Sequence, residues 1–145
     1  MSAYPPVKIG ILGLGTVGGG VTRVLARNAG EISRRAGREI VITHAAARNL
    51  DTTTANTANI KLTGEGLEVV NDPEVSIVIE LMGGCEPARE FVLRALANGK
   101  HVVTANKALI ALHGNEIFAA AREAGVMVGF EAAVAGGIPI IKAIR

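Results

Sequence analysis

The sequence predicts an α/β fold, in which a doubly wound parallel sheet carries helices on both of its faces. Short apolar runs, each long enough for one strand, alternate along the chain with segments of helical periodicity. Eighteen of the 145 residues are glycine, and many of them directly follow an apolar run, where a chain leaving a buried strand has to turn. Parallel strands also require long crossover connections, and here these connections are predicted to be helical.

The first strand, turn and helix follow one another at the start of the chain. Residues 7–12 (VKIGIL) form a short apolar run with branched side chains, which favours a buried strand. From Thr16 onwards the apolar residues recur with the period of a helix, so one stripe is predicted to face the core. The members of this stripe are Val17, Val21, Val24 and Leu25. The polar residues 28–39 predict an extension of the helix or a further turn.

The rest of the chain repeats this alternation, which predicts a Rossmann-type sheet of six strands. The second strand is predicted over residues 40–46, and residues 49–66, rich in threonine and asparagine, are predicted to form a loop. The remaining strands are predicted over residues 67–70, 76–81, 101–104 and 126–130. Helices are predicted over residues 87–98, ending at Gly99, over residues 107–124, ending at Gly125, and from about Pro139.

Composition and charge argue for one packed core and against several classes of partner. Hydrophobic residues make up 49% of the chain and charged residues 19%, with no unbroken apolar run long enough to predict a membrane span. The net charge of +2 and the few scattered aromatic residues predict no nucleic-acid or membrane partner. The single cysteine, Cys85, excludes an internal disulfide, and the N-terminus has no secretory signal pattern. We therefore expect a cytoplasmic protein.

A glycine-rich turn joins the first predicted strand to the first predicted helix. In residues 13–18 (GLGTVG), Gly13 permits the tight turn, Gly15 lets a pyrophosphate approach the backbone, and Gly18 lets the helix pack closely on the strand. The N-terminus of the helix presents free N–H groups and a partial positive charge to an anion. The position of the motif between a strand and a helix is the context that dinucleotide binding requires. The alternative is a turn that serves only for packing.

The end of the second predicted strand indicates which dinucleotide is preferred. An Asp or Glu at this place would accept a hydrogen bond from a ribose 2′-hydroxyl, but residues 46–49 read AARN. The guanidinium of Arg48 can pair with a 2′-phosphate or stack on adenine, which favours NADP(H) over NAD(H). The alternative for Arg48 is a solvated arginine on a loop.

The loops after the later strands are the other candidate site, because ligands of doubly wound sheets lie across the carboxyl ends of the strands. These loops are residues 81–85, 104–107 and 131–139. Lys107 lies at the start of a helix, where it could bind a carboxylate, donate a hydrogen bond to the cofactor or supply a proton. The alternative is a solvated lysine without a role in the site. Glu131, at the end of an apolar strand, is either a partly buried, paired acid, a cation ligand or a residue at the edge of water.

Cysteine and histidine chemistry has weaker support. Cys85 would act as the nucleophile in an aldehyde dehydrogenase that forms a thioester, but no histidine is placed to activate it, and lone cysteines are usually small core residues. The spacing of His44, His101 and His113 lacks a metal-ligand pattern.

Four motifs together resemble the nucleotide-binding half of homoserine dehydrogenases. They are ILGLGTVG at residues 11–18, ELMGG at 80–84, TANKA at 104–108 and EAAVAGGIP at 131–139. The first motif occurs in many dehydrogenases, whereas the other three together are much more specific. The resemblance covers essentially the whole chain.

The resemblance implies an NAD(P)-dependent oxidoreductase that interconverts L-aspartate 4-semialdehyde and L-homoserine by hydride transfer, on the route to threonine, methionine and isoleucine. By this likeness Thr16 and Val17 contact the pyrophosphate and Arg48 the 2′-phosphate. Lys107 lies at the nicotinamide side, in a supporting catalytic role towards the substrate. The candidate cofactor-binding residues are Gly13, Gly15, Thr16, Val17, Gly18, Arg48, Gly83, Gly84, Thr104 and Lys107.

The same resemblance implies a monovalent cation, usually sodium. Its ligands would be Glu131 and the backbone carbonyl oxygens of Val134, Gly136 and Ile138. Hard oxygen ligands suit such an ion.

The resemblance also bears on domain organisation. Family members continue into a substrate and dimerisation domain, which carries the lysine that donates the proton and the acid that fixes homoserine, so we expect the main proton donor beyond Arg145. Residues 1–138 are expected to form the NAD(P)-binding domain and residues 139–145 to begin the second domain of a homo-oligomeric enzyme. The chain ends at Arg145, inside a predicted helix without a capping glycine. We therefore expect a truncated piece that binds NADP(H) but is inactive alone.

Two other functions are compatible with these features. One is a stand-alone NAD(P)-binding regulatory module, which would use the same glycine turn without catalysis. The other is a different small-aldehyde dehydrogenase that relies on Cys85.

Overall fold

A six-stranded parallel sheet organises the chain, with the strand order β3-β2-β1-β4-β5-β6. The computed structural model describes residues 4–49, 57–136 and 138–144. The strands are β1 (Val7–Leu12), β2 (Ile40–Ala46), β3 (Lys61–Thr63), β4 (Ile77–Glu80), β5 (His101–Thr104) and β6 (Val128–Gly129). The order reverses between β1 and β4, which creates the crevice at which doubly wound sheets bind ligands.

Helices lie between β1 and β2, in each connection from β3 to β6, and after the last strand. They are α1 (Thr16–Arg27), α2 (Ala29–Ala36), α3 (Gly66–Asn71), α4 (Ala88–Ala97), α5 (Lys107–Ala124) and α6 (Ile140–Ile144), with a 3-10 turn at Glu131–Ala133. The predicted Rossmann-type fold is therefore confirmed. None of the described helices is both long and apolar enough to cross a membrane.

Two apolar clusters pack on opposite faces of the sheet, because successive side chains of a strand point to opposite sides. On β1, Ile11 and Leu12 are both fully buried but belong to different clusters. The larger cluster joins Leu12 to side chains of α3, α4 and α5, and the smaller one joins Ile11 to Val21 of α1. Burial on both faces explains why the strands have continuous apolar sequences.

The buried face of α1 differs from the predicted stripe. Val17 and Val24 are 56% and 48% exposed, and the residues that α1 buries are Gly18, Gly19 and Thr22. The physical reason is the short distance between helix and strand, since a Cβ on Gly18 would overlap the carbonyl oxygen of Gly13. Small residues, and not the largest apolar ones, therefore decide which side of α1 faces the sheet.

The predicted third strand, residues 67–70, is wrong. This segment lies in α3, which buries Val69 and Val70 completely. Short runs of branched residues do not distinguish a strand from a buried helical turn. The actual third strand, β3, lies within the segment predicted to be a loop, of which residues 50–56 fall outside the described part of the chain.

Other differences concern element boundaries. Residues 28–39 contain a separate helix, α2, which is followed by Gly37 in the left-handed conformation with φ of 74°. The last strand has two residues instead of five, because the chain enters the 3-10 turn at Glu131.

The end of the chain carries two expectations that stay predictions. One is the start of a second domain after residue 138, where the structure describes the short helix α6. The other is a main proton donor beyond Arg145, a residue that itself lies outside the described part of the chain.

Candidate functional site

A cleft of about 640 Å³ opens at the carboxyl ends of β1, β2, β3 and β4. Its volume lies within the range of small-molecule and cofactor sites. The cleft is lined by residues 12–15, 46–49, 64–66 and 81–83 and by Glu86, Pro87 and Phe91. Four of the sequence-predicted residues line it together, namely Gly13, Gly15, Arg48 and Gly83.

The glycine turn forms one wall of this cleft. Gly13 has φ of +98°, a left-handed conformation, and a Cβ there would lie 2.9 Å from the carbonyl oxygen of Leu81. Gly15 is exposed, and nothing within 4 Å would meet a Cβ there, so the backbone is open to a ligand. Gly13 thus permits the turn, and Gly15 leaves the backbone accessible to a ligand.

The N-terminus of α1 begins at this turn. Its N-cap residue is Gly15, which has no side chain to cap the helix, and the first turn contains no acidic residue. The first N–H groups of a helix have no partner within the helix, and the partial positive charge is concentrated there. Thr16 and Val17, both exposed, therefore present backbone donors at a place that suits an anion.

Two opposite charges line the β2–β3 side of the cleft, which we define as residues 46–49 and 64–66. Arg48 follows β2 and is exposed, and within the described residues no carboxylate lies within ion-pair distance of it. Glu65 precedes α3, and its backbone N–H donates to Thr63 Oγ1 at 3.0 Å. Glu65 is not among the residues predicted from the sequence, because the third strand was predicted over residues 67–70 and β3 lies at Lys61–Thr63. An acid just after β3 was the signal that could have identified it.

A buried carboxyl group contacts the loops that follow β4 and β5. Glu80, at the end of β4, has no exposed surface. Its Oε1 accepts from the Met82 N–H at 2.7 Å, and its Oε2 accepts from Thr104 Oγ1 at 2.5 Å. Burial raises the pKa of the Glu80 carboxyl, and hydrogen bonds from Thr104, Met82 and Asn106 offset part of that rise. Glu80 is the first residue of the ELMGG motif, and the sequence predicted no role for it.

Asn106 connects the same two loops and is the N-cap residue of α5. Its Oδ1 accepts from the Leu109 N–H at 3.1 Å and its Nδ2 donates to the carbonyl oxygen of Gly84 at 2.6 Å. Lys107 is the first residue of α5 and is exposed. No carboxylate of the described ranges lies within ion-pair distance of the Lys107 amine. Thr104 is fully buried, so its side chain lies below the loop and not on its surface.

Two of the three histidines contact groups other than Cys85. Cys85 is half-buried, and none of the residues that line the cleft is a histidine. His44 is buried with Nδ1 2.8 Å from Asp72 Oδ2, and His101 Nδ1 accepts from the Met127 N–H at 3.0 Å. Within the described ranges, no group of three or more histidine, cysteine or acidic side chains could hold a metal ion.

The segment predicted to bind a cation lies apart from the cleft. Glu131 begins the 3-10 turn instead of ending a strand, and its side chain is exposed. Ala135 and Gly136 both have φ of 59°, a left-handed conformation, so the backbone turns sharply at these two residues. The oxygens that this segment offers are a carboxylate and backbone carbonyls, which are hard donors.

Comparisons with known proteins agree on one family. The family model described as homoserine dehydrogenase, NAD binding domain, matches residues 13–131. Homoserine dehydrogenases of Pseudomonas aeruginosa and Neisseria gonorrhoeae are 61% and 53% identical over 140 residues, which cover 97% of this chain and 32% of each relative. The chain therefore spans about a third of the length of these curated relatives.

Solved structures show the same similarity. The crystal structure of a homoserine dehydrogenase from Thiobacillus denitrificans superposes with a TM-score of 0.92 at 65% identity, covering 97% of this chain and 33% of that one. A hyperthermophilic archaeal homoserine dehydrogenase in complex with NADPH has a TM-score of 0.78 at 26% identity, covering 97% and 48% of the two chains.

Proposed function

The chain belongs to the homoserine dehydrogenase family, as an NAD-binding domain of Rossmann fold, and from this premise we propose that it binds NADP(H) for an oxidoreductase. The proposed reaction interconverts L-aspartate 4-semialdehyde and L-homoserine by hydride transfer. Threonine, methionine and isoleucine biosynthesis in the cytoplasm is the proposed setting. The proposed enzyme is a homo-oligomer that acts on this small-molecule substrate, with no nucleic-acid or membrane partner.

The observation that carries the proposal is the uncapped N-terminus of α1 at the mouth of the cleft. Gly13, Gly15 and Gly18 give the backbone the turn, the open approach and the close packing that a bound diphosphate needs. Thr16 and Val17 then donate backbone N–H groups to the pyrophosphate oxygens. An uncapped helix end with no acid in its first turn is electrostatically suited to this anion.

The adenosine end is proposed to distinguish the two dinucleotides. Arg48 can pair with the 2′-phosphate of NADP(H) in a bidentate manner, whereas NAD(H) offers only a hydroxyl there. Glu65 lines the same side of the cleft and repels that phosphate, so it reduces the preference that Arg48 creates. We propose that direct pairing outweighs the repulsion. The NADPH complex of the archaeal relative is compatible with this.

The loops after β4 and β5 are proposed to hold the nicotinamide end. Bound nicotinamide supplies the hydride chemistry. Gly83 and Gly84 leave room for its ribose, and Thr104 supports the loop from below. The exposed Lys107 amine attracts the substrate in a supporting role. The main proton donor is proposed to lie beyond Arg145, in the part of the relatives that this chain does not span.

A sodium ion is also part of the proposal. Glu131 and the carbonyl oxygens of Val134, Gly136 and Ile138 are an all-oxygen donor set, which fits a hard cation.

Cofactor binding is tested by calorimetric titration of the 145-residue chain with NADPH and with NADH. We expect NADPH to bind more tightly than NADH. The Arg48→Ala substitution should lower the affinity for NADPH by about tenfold and leave the affinity for NADH nearly unchanged, because one charge-assisted pair is lost. Arg27→Ala, an exposed arginine in the last turn of α1, is the matched control and should leave both affinities unchanged. No binding of either nucleotide would reject the proposed function, and equal affinities that Arg48→Ala does not alter would reject the preference for NADP(H).

A further inference from the structure

We propose that Glu80 is a positioning residue for the nicotinamide end of the cofactor, because it holds the loop after β4 against the start of α5. This role rests on the proposed function, since it requires the dinucleotide to lie across both loops. Its consequence is that binding of the whole cofactor depends on Glu80 more than binding of the adenosine half does.

The two oxygens of the Glu80 carboxyl act on different loops. Oε1 accepts from the Met82 N–H at 2.7 Å and so fixes the first residues after β4. Oε2 accepts from Thr104 Oγ1 at 2.5 Å, at the end of β5. The Ala105 N–H also donates to the Glu80 carbonyl oxygen at 3.2 Å. Glu80 therefore links the two loops through its side chain as well as through its backbone.

The bridge continues from Thr104 to the start of α5. Thr104 Oγ1 accepts from the Asn106 N–H at 3.0 Å, so this hydroxyl donates to the Glu80 carboxyl and accepts from a loop residue. The Asn106 side chain donates to the Gly84 carbonyl oxygen at 2.6 Å and caps α5. Lys107 follows directly in the sequence, so its backbone position depends on the same set of hydrogen bonds.

Packing alone does not explain a carboxyl at this position. Val78, two residues earlier on the same face of β4, is fully buried as an apolar residue in the larger cluster. A carboxyl group at zero exposure is costly unless its hydrogen bonds are satisfied, and here both oxygens have donors from the loops. Buried polar groups of this kind can specify one geometry rather than add stability. Glu80 lies where the strand ends and the candidate site begins, which is where a fixed geometry matters for a ligand.

The test compares two ligands on one protein. NADPH and 2′,5′-ADP, which contains the adenosine part with its 2′-phosphate but no nicotinamide, are titrated by calorimetry into the 145-residue chain and its Glu80→Ala variant. We expect Glu80→Ala to lower the affinity for NADPH by about tenfold and the affinity for 2′,5′-ADP by less than about twofold. The reason is that misplaced loops lose contacts only at the nicotinamide end of the cofactor. Glu80→Gln, which keeps an acceptor for Met82 and a polar link to Thr104, should restore most of the NADPH affinity.

A control and a second variant separate this role from general damage. Glu123→Gln, an exposed acid of α5, should change neither affinity. If Glu80→Ala does not fold, as judged by circular dichroism, Thr104→Val breaks the same bridge with a side chain of similar shape and should give the same selective loss.

The outcomes distinguish the two proposals. If wild-type protein binds neither ligand, the proposed function fails and the role of Glu80 fails with it. If the wild type binds both ligands and the folded variants weaken both to the same extent, or neither, only the positioning role is overturned. A Glu80→Gln variant as impaired as Glu80→Ala would also overturn it.

Discussion

Gly18 of α1 lies directly against the carbonyl oxygen of Gly13, so closely that no side chain on Gly18 could fit between the helix and the turn. This contact sets how near α1 lies to the glycine turn, and with it the position of the uncapped helix end at the cleft. The packing of one glycine thus connects the stability of the fold to the geometry of the candidate site.

Gly18→Ala should therefore destabilise the chain. The added methyl group meets backbone and not a movable side chain, so we expect a loss of about 3 kcal/mol in the free energy of unfolding, measured by urea denaturation. Gly20→Ala is the matched control in the same helix, because nothing within 4 Å would meet its Cβ. Alanine there should stabilise by about 0.5–1 kcal/mol through its higher helix propensity. Equal effects of the two substitutions would contradict this explanation.

Glu65→Gln should increase the preference for NADPH over NADH. The substitution removes a negative charge that shares the β2–β3 side of the cleft with Arg48, so repulsion of the 2′-phosphate proposed to bind there should fall. We expect the ratio of the two affinities to rise by about threefold at low salt and by less at high salt, because salt screens exposed charges. Glu68→Gln, an acid of α3 that does not line the cleft, serves as control. An unchanged ratio would exclude Glu65 from cofactor discrimination.

Asp72 should make the stability of the chain depend on pH in the acid range. Burial raises the pKa of Asp72, but hydrogen bonds from the Glu74 N–H and from His44, with the charges of His44 and Lys61, outweigh it and hold that pKa below its usual value. A lowered pKa stabilises the folded state above the unfolded value, and this contribution is lost as the pH falls through the folded pKa. Below about pH 5, as the pH falls through the unfolded and then the folded pKa of Asp72, the free energy of unfolding should therefore fall more steeply for the wild type than for Asp72→Asn. The free energy of unfolding is measured by urea denaturation at each pH, and the same pH dependence in the wild type and in Asp72→Asn would contradict this expectation.

The 145-residue chain alone should bind NADP(H) without oxidising homoserine. Hydride transfer needs the substrate to be oriented and its developing charge stabilised, and the proposed proton donor belongs to the part of the relatives that the chain does not span. The measurement is the rate of NADPH formation, followed by its absorbance, with saturating homoserine and NADP. A rate above that of a chain-free blank would refute the expectation and place a complete catalytic site within these residues.

Local patterns were sufficient for much of the fold. The bounds of β1, β2, β5 and α5 agree with the predictions, because continuous apolar runs and helical periods differ clearly over such lengths and Gly125 marks the helix end. The family inferred from the four motifs is confirmed by the matching family model and the curated relatives, and the description of that model is an NAD-binding domain. The cofactor-binding and cation-binding residues stay predictions.

Short elements were beyond the reach of such patterns. Residues 67–70 have the composition of a strand, yet α3 buries Val69 and Val70 against the larger cluster because tertiary packing overrides weak local preference. Because this strand was predicted at the wrong place, Glu65 was not predicted to line the cleft. The exposed side of α1 was misjudged for a related reason, since close contact between Gly18 and Gly13 outweighs the hydrophobicity of Val17 and Val24.

The amino-acid order by itself determined the local unit of strand, glycine turn and helix, because its chemistry depends on residues that are neighbours in the chain. Only the tertiary structure decided which distant groups meet. Pairing β4 with β5 places the Glu80 carboxyl against the Thr104 hydroxyl, and the adjacent β2 and β3 bring Arg48 and Glu65 to one cleft. Neighbouring strands of a parallel sheet are joined through long crossovers, so the contacts at their carboxyl ends follow from strand order, which no local pattern encodes.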